Sequence, residues 1–430
     1  PSRFAATEPV DKELWYKAPI TPMDDLHGNL RGIIEHMDDI QNLGIDVLYM
    51  TPIFQSNSCH KYDTTDYYQI DPSFGTTEDL KELVQKAHER GMKVVLDAVY
   101  NHTGREFFAF ADILENGEKS KYRDWYFIDG FPLKSEWGEI PNFKCFGYYG
   151  GMPKLNLKNP EVEKYITDVA CYWIKECDID GWRLDVGDEI SHFFWKNFRK
   201  AVKAVKKDML IIGEIWHYAG DFLEGDEWDT VMNYPFYLNL IDLLADEKIS
   251  VSQFVQNLGY LKGRLHKKCY PLMWNLIDSH DTARFLHLCN DNKKKQHLAA
   301  AFQLLLPGMP MIYYGDEFAM PGANDPDCRR GMYWDEEYQD KEMFEWYKQL
   351  LQVRKAHTCI VEGELAEAIT RDEDETIVLI RKNGEETIAL IFNCSDHTKE
   401  FKEYAQKQDL LTEKAFDGKV EAFDAAVIVL

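Results

Sequence analysis

Arg183 and Asp185 stand two positions apart in GWRLDV (181–186), a run that is otherwise apolar. Side chains alternate across a strand, so the two charged residues share one face while Trp182, Leu184 and Val186 share the other. Other apolar runs end in comparable reagents: Asp97, Asn101 and His102 in DAVYNH, Glu214 in GEIWH, and His280 and Asp281 in DSHD. Alternation lets Asp97, Asp185 and Glu214 face inward together, because their immediate neighbours suit a helix-facing side. It cannot bring both His280 and Asp281 inward, so the backbone must turn there. Several carboxylates at one mouth suit acid and base work on a neutral, hydroxyl-rich molecule, most simply glycoside hydrolysis through a nucleophile and a general acid. Arg183 would hold Asp185 ionised, and crowding by carboxylates would keep Glu214 protonated. Tyr62, Tyr67, Tyr68, Trp216 and Tyr234 could stack on sugar rings, although aromatics near a barrel rim serve equally well as core.

Positioning such groups takes a series of short strands. Asp46–Thr51, Lys93–Val99, Gly181–Val186, Met209–Ile215, Thr230–Tyr234, Met273–Asp278 and Met311–Gly315 read as strands, with Leu14–Ile20 as a weaker eighth. Between the first two, Glu78–Arg90 puts Leu80, Leu83, Val84 and Ala87 on one helical face, capped by Thr76 or Thr77 and stopped by Gly91. Strands alternating with helices predict a parallel α/β sheet, and eight of them suit a closed (β/α)8 barrel whose catalytic rim lies at the strand ends. Two stretches break the rhythm. His102–Leu157 is too long for a plain loop and reads as a small subdomain or lid. Beyond residue 356 come Thr376–Arg381, an Asn383-Gly384 hairpin turn, Thr387–Asn393 and Ala425–Leu430, which predict a separate all-β domain. The expected organisation is a barrel over 1–101 and 158–355, an inserted domain over 102–157 and a β-sandwich over 356–430.

Composition narrows the partners. The 430 residues carry 49 basic and 74 acidic side chains, a net charge of −25 that disfavours nucleic acid and anionic membrane. No apolar run is long enough to span a bilayer, and residues 1–10 lack the pattern of a secretion signal, although a chain opening on Pro1 could have lost a leader. Nine scattered cysteines without a C-x-x-C pair read as reduced thiols of a cytoplasmic protein. His60, His102 and His280 lack metal-ligand spacing, and Lys293–Lys295 reads as a solvated helix face.

Taken together, DAVYNH, GMPKLN (151–156), GWRLDV, GEIWH, NLIDSHD (275–281) and GMPMIYYGDE (308–317) resemble the successive signature regions of the α-amylase superfamily. The wording of MPKLN, GEIWH, DSHDTARF and DPDCRRGMYWD (325–335) is most similar to its neopullulanase, cyclomaltodextrinase and maltogenic amylase group. The resemblance implies a retaining hydrolase of α-1,4 and in some members α-1,6 glucosidic bonds in cyclodextrins, maltooligosaccharides or pullulan. It makes Asp185 the nucleophile, Glu214 the acid and base, and Asp281 the carboxylate that stabilises the transition state. Arg183 would orient Asp185, with Tyr62, His102 and His280 on the cleaved sugar, Asp97 supporting the site, and Asp325 and Arg329 binding substrate. Asn101 matches a position that binds calcium in many amylases; a structural asparagine is the competing reading, and no cofactor is otherwise required.

The sequence departs from that group in three ways, one being a short segment before HGNLRGI (27–33) where relatives often carry a longer, calcium-binding loop. Nothing before Leu14 could form the starch-binding-type domain with which its members begin, so their usual dimer is not implied and the oligomeric state is open. Asp188-Glu189 stands where Asn-Glu is common, which leaves open a transglycosylase or an α-1,6-acting oligosaccharidase on the same barrel. A catalytically dead carbohydrate-binding scaffold is the non-enzymatic alternative, disfavoured because all three acids are present.

Overall fold

The computed structural model describes residues 1–430 except 8–10, 135–137, 139 and 267. Two units make up the chain: Pro1–Leu14, Pro22–Ile215 and Asp221–Val231 form the first, and Trp15–Thr21, Trp216–Gly220 and Met232–Leu430 the second.

The first unit contains β1 (Val47–Met50), β2 (Phe54–Ser56), β3 (Thr64–Ile70), helix α1 (Thr77–Glu89), β4 (Lys93–Ala98), α2 (Pro160–Cys177), β5 (Gly181–Leu184), α3 (His192–Val205), β6 (Leu210–Gly213) and β7 (Thr230–Val231). Five strands pair in the order β1-β4-β5-β6-β7 and every pair is parallel, while β2 and β3 form an antiparallel hairpin that the sequence reading missed. Local signals set the helix ends. Thr76 accepts from the Asp79 N–H, and the Asp79 carboxylate answers the Thr76 N–H, a reciprocal cap. Gly91 ends α1 at φ +75°, a left-handed turn open to glycine. α2 starts on Asn159 and Pro160, whose missing N–H costs nothing at a helix's first turn. Its apolar stripe of Val162, Ile166, Val169, Trp173 and Ile174 is buried.

Register then places the chemistry. Asp97 of β4 lies opposite Arg183 of β5, so a parallel ladder with period-two side chains puts carboxylate and guanidinium on one face. Trp182 takes the other face, buried near Phe54 and Tyr100. The His102–Leu157 stretch is held by single bridges, including His102 to Lys154 and Tyr126 to Leu155, and by edge-on packing of Phe108, Tyr122 and Trp125. Residues 135–137 and 139 of it lie outside the described residues.

In the second unit β8 (Trp274–Leu276) pairs in parallel with β9 (Met309–Met311), followed in the chain by helix α5 (Lys341–Ala356); α4 (Lys293–Leu305) connects the two strands. β9 ends at Met311, where the predicted run begins, and Tyr313 and Tyr314 beyond it turn their rings to Arg284. Leu14–Ile20 is not a strand. A short helix, Lys12–Trp15, ends there, and the Trp15 indole donates to the Met332 carbonyl instead of entering a ladder. Lys293–Lys295 is not wholly a solvated face either. Lys295 is mostly buried, pairs with Glu247 at 2.7 Å and lies over the Phe423 ring.

The chain ends in β10 (Glu364–Arg371), β11 (Thr376–Asn383), β12 (Glu386–Asn393), β13 (Lys399–Glu400), β14 (Gln408–Asp409), β15 (Lys414–Ala415), β16 (Lys419–Val420) and β17 (Asp424–Val429). Six pair in the order β10-β11-β12-β17-β14-β15, with β13 and β16 as a second small sheet. Alternate residues Val378, Ala389, Ile391, Ala426 and Ile428 pack one face against Phe401, Phe416 and Val420. Ile377, Leu390, Phe392 and Val427, on the opposite parity, are buried as well, with Phe392 stacked on Phe302 of α4 at 4.2 Å. The hairpin loop is Gly384-Glu385, since Asn383 already pairs with Glu386.

Candidate active site

Arg183 is fully buried and holds three carboxylates. Its Nη1 lies 3.0 Å from Oδ1 of Asp97 and 3.0 Å from Oδ1 of Asp185, and its Nη2 lies 3.0 Å from Oε2 of Glu214. Asp97 Oδ2 also accepts the hydroxyls of Tyr49 at 2.6 Å and Tyr62 at 2.9 Å. Burial drives the Asp97 pKa up, against the pull of Arg183 and the two tyrosines. Burial also opposes the charge of Arg183, but Asp97 and Glu214 beside it leave its pKa well above the ordinary value. An ion cluster this deep is costly to desolvate, so its retention points to use and not to stability.

Asp185 and Glu214 both sit one step past a strand end, where the ladder continues through their backbones: Asp185 N–H donates to the Ala98 carbonyl and Glu214 N–H to the Leu184 carbonyl. The chain then turns sharply, with Val186 left-handed at φ +47° and its N–H on Oε2 of Glu214 at 2.9 Å. Gly213 is required before the acid, because a Cβ there would come within 2.2 Å of the Trp228 ring. The carboxylate crowding expected around Glu214 is thus arranged around a guanidinium, and Glu214 itself accepts one backbone N–H and forms an ion pair with Arg183.

His102 is buried and tied to this cluster through Tyr62, whose hydroxyl reaches Asp97. Its Nε2 donates to the Tyr62 carbonyl at 3.0 Å, and burial lowers its pKa to about 4, so the ring is neutral. Asn101, the candidate calcium ligand, is engaged otherwise. Its Oδ1 accepts the Lys154 ammonium at 2.7 Å and its Nδ2 donates to Glu189, while the same ammonium reaches Glu189 Oε2 at 2.6 Å and the Glu189 carbonyl at 3.2 Å. Three oxygens around one fixed cation form a donor set already filled by the protein's own charge, and it does not fit calcium. Among the described residues no group of three or more His, Cys, Asp and Glu is arranged to hold a metal.

The second unit carries the remaining predicted residues. His280 Nε2 lies 3.2 Å from Oδ2 of Asp281, and Arg329 Nη2 lies 3.6 Å from Oδ1 of Asp281. Arg329 Nε donates to the His280 carbonyl at 2.8 Å and pairs with Asp325 at 2.7 Å. The backbone does turn between His280, which is buried, and Asp281, which is exposed, as alternation required. Trp216 is 41% exposed and stacks at 3.9 Å on buried Tyr234. Of the other proposed platforms, Tyr67 is core, its hydroxyl donating to the carbonyls of Val99 and His102, and Tyr68 packs against Tyr165 and Tyr172. Sequence reasoning missed Tyr49 and Lys154. Tyr49 left no signal beyond a polar tip in an apolar strand, whereas Lys154 stood in the open as the one charge in GMPKLN.

The family profile described as alpha amylase, catalytic domain, matches residues 1–339. The chain belongs to the α-amylase family. It is a glycoside hydrolase, and its fold class is the (β/α)8 barrel with a subdomain inserted after the third barrel strand and a C-terminal all-β domain. Over 93% of its length it is 46% identical to a cyclomaltodextrinase of Geobacillus thermopakistaniensis, covering 68% of that protein. An intracellular maltogenic amylase of Bacillus subtilis is 42% identical over 91% of this chain and 67% of its own. Among solved structures, the cyclic α-maltosyl-(1→6)-maltose hydrolase of Arthrobacter globiformis superimposes with a TM-score of 0.90 at 34% identity, covering 100% of this chain and 97% of that one. The chain spans about two thirds of the length of the curated relatives it matches.

Proposed function

We propose that the chain hydrolyses α-1,4 glucosidic bonds, and within the same site α-1,6 bonds, in cyclodextrins, maltooligosaccharides or pullulan with retention of configuration. Asp185 attacks the anomeric carbon, Glu214 protonates the departing oxygen and later deprotonates water, and Asp281 stabilises the charge that develops on the ring. The single observation that carries this reading is Arg183: one guanidinium reaches Asp185 and Glu214 at 3.0 Å each, a shared contact that supports the short carboxyl spacing a covalent route needs. Tyr62, His102 and His280 bind the sugar in the cleaved subsite, Asp97 fixes Arg183, and Asp325 and Arg329 hold substrate further out. The site works without calcium at Asn101, since Lys154 supplies the charge there. A place in the cytoplasm is supported by the name of the intracellular Bacillus subtilis relative; among the described residues no helix is long and apolar enough to cross a membrane.

The test is a glycosyl fluoride given to the Glu214→Gln enzyme. Fluoride leaves with little acid help, so the sugar loads onto the protein and stays for want of a base. Peptide mapping should find it on Asp185, and the first products of the unaltered enzyme should be α-anomers by NMR. Sugar on Asp281, or β-anomers, would overturn the mechanism. Product profiles on β-cyclodextrin, pullulan, maltotriose and soluble starch test the substrate class: starch cleaved fastest with cyclodextrin intact would reject it.

A further inference from the structure

Asp278 and Asp316 are almost wholly buried, at 1% and 0% exposure. Each commits Oδ1 to a donor: Asp278 accepts the Phe285 N–H, and Asp316 accepts Arg284 Nη1 at 2.9 Å. Neither Oδ2 has a donor from another described residue, and the two carboxyl groups are hydrogen-bonded to each other. Two carboxylates have no hydrogen to place between them, so this contact requires a proton.

Charge gives the same count. Arg284 contributes one positive charge at full burial. The other titratable and polar groups facing the pair add no cation: Glu317, Tyr313 and Tyr314 after β9, Gln296 of α4, Tyr347 of α5, Cys289 and Tyr237. Two negative charges against one guanidinium would leave one unmatched deep in the protein, a state that protonation removes.

We propose that Asp278 and Asp316 share a single proton, and that this acid–carboxylate pair is the positioning device for Asp281. Asp278 follows β8, and by accepting the Phe285 N–H it closes the stretch 278–285 with Asp281 near its middle. Asp316 holds Arg284, which also donates to the carbonyls of Tyr314 at 2.9 Å and Cys328 at 3.1 Å and lies 4.5 Å from the Tyr313 ring centre. Cys328 adjoins Arg329, and both donate to the His280 carbonyl. The shared proton therefore ties the stretch that bears Asp281 to the segment that bears Arg329. The link to catalysis rests on the role proposed for Asp281; the shared proton does not.

Infrared difference spectroscopy and thermal unfolding of the full chain test it, with Asp278→Asn, Asp316→Asn, both together, Asp278→Leu, and Glu317→Gln as the control for a neighbouring buried acid. Burial pushes the Glu317 pKa up to about 7, so Glu317 adds a band of its own at neutral pH and the spectra are compared in the Glu317→Gln background: there the carbonyl stretch of a buried carboxylic acid should be present with Asp278 and Asp316 intact and absent once either is asparagine. Each single variant should keep its fold, because the amide supplies the missing hydrogen. The double variant should lose far more Tm than the two singles summed, since two amide NH₂ groups would meet and Arg284 would lose its counter-charge. Asp278→Leu should lower kcat with KM nearly constant, and Asp278→Asn should restore most of it. In the Glu317→Gln background, a band that survives both single substitutions, or a double variant as stable as either single one, would overturn the shared proton. A loss confined to KM in Asp278→Leu would overturn the positioning role. If instead Asp281→Asn turned over normally with the band in place, the role given to Asp281 would fail and the proton pair would stand.

Discussion

The backbone N–H of Val186 donates to Oε2 of Glu214 at 2.9 Å. The residue after the nucleophile thus holds the acid, and it does so from a conformation that a β-branched side chain rarely adopts, φ +47° and ψ 44°. Such backbone strain costs of order 1–2 kcal/mol and persists where the surroundings enforce it.

Val186→Gly should release that strain. We expect a Tm equal to or above that of the parent, together with a kcat lowered roughly tenfold, about 1.4 kcal/mol, as the tie between Asp185 and Glu214 loosens. Steady-state kinetics beside thermal unfolding would check it; a drop in Tm with kcat intact would show that Val186 serves packing alone.

Glu214→Gln should cut kcat on unactivated oligosaccharides by roughly 10²-fold or more, within the range of general acid catalysis, and much less on an aryl glycoside whose leaving group needs no proton. Equal losses on both substrates would remove Glu214 from the acid role.

Lys154 occupies the cation position between Asn101 and Glu189. Chelator should therefore leave both Tm and kcat unchanged. Lys154→Met should destabilise by about 1–2 kcal/mol, limited because Glu189 is partly solvated. A Tm that rises with added calcium in the unaltered enzyme would contradict this.

His102 supplies a pH signature. Its folded pKa is lowered to about 4 by burial, while the unfolded chain titrates near 6.5, so below that value the unfolded state takes the proton first. Stability is fully present above pH ~6.5 and declines as the pH falls toward 4, by up to about 3 kcal/mol from this group. Denaturant melts between those limits should show a shallower pH slope in His102→Gln; an unchanged slope would mean that His102 charges freely in the fold.

Much of this was legible in residue types alone. The greasy and charged faces of GWRLDV, the capped helix after Thr76 and the hairpin near Gly384 each follow from local periodicity or turn chemistry, and each is present, the hairpin with its loop one residue later than expected. What failed depended on partners distant in sequence. Leu14–Ile20 has strand-like composition, yet Trp15 finds Met332. Tyr67 has the composition of a platform, yet two backbone carbonyls draw its hydroxyl into the core. Glu214 was expected among like charges, because nothing in GEIWH says that Arg183, on the neighbouring strand β5, will reach it. The lysine of GMPKLN was visible, but only the fold shows it filling the place of a metal.

The C-terminal sheet also bears on how the molecule behaves at high concentration. A sheet flank with unpaired backbone groups is a template on which another chain can add, the first step toward fibrous aggregates. Here one flank, β10, is broken by a bulge between Leu365 and Glu367 and carries Glu364, Glu367 and Arg371, while the other, β15, is two residues long. Neither offers a straight apolar edge to grow from, and with a net charge of −25 the surface repels its own copies. Colloidal stability is thereby written into the two ends of one sheet.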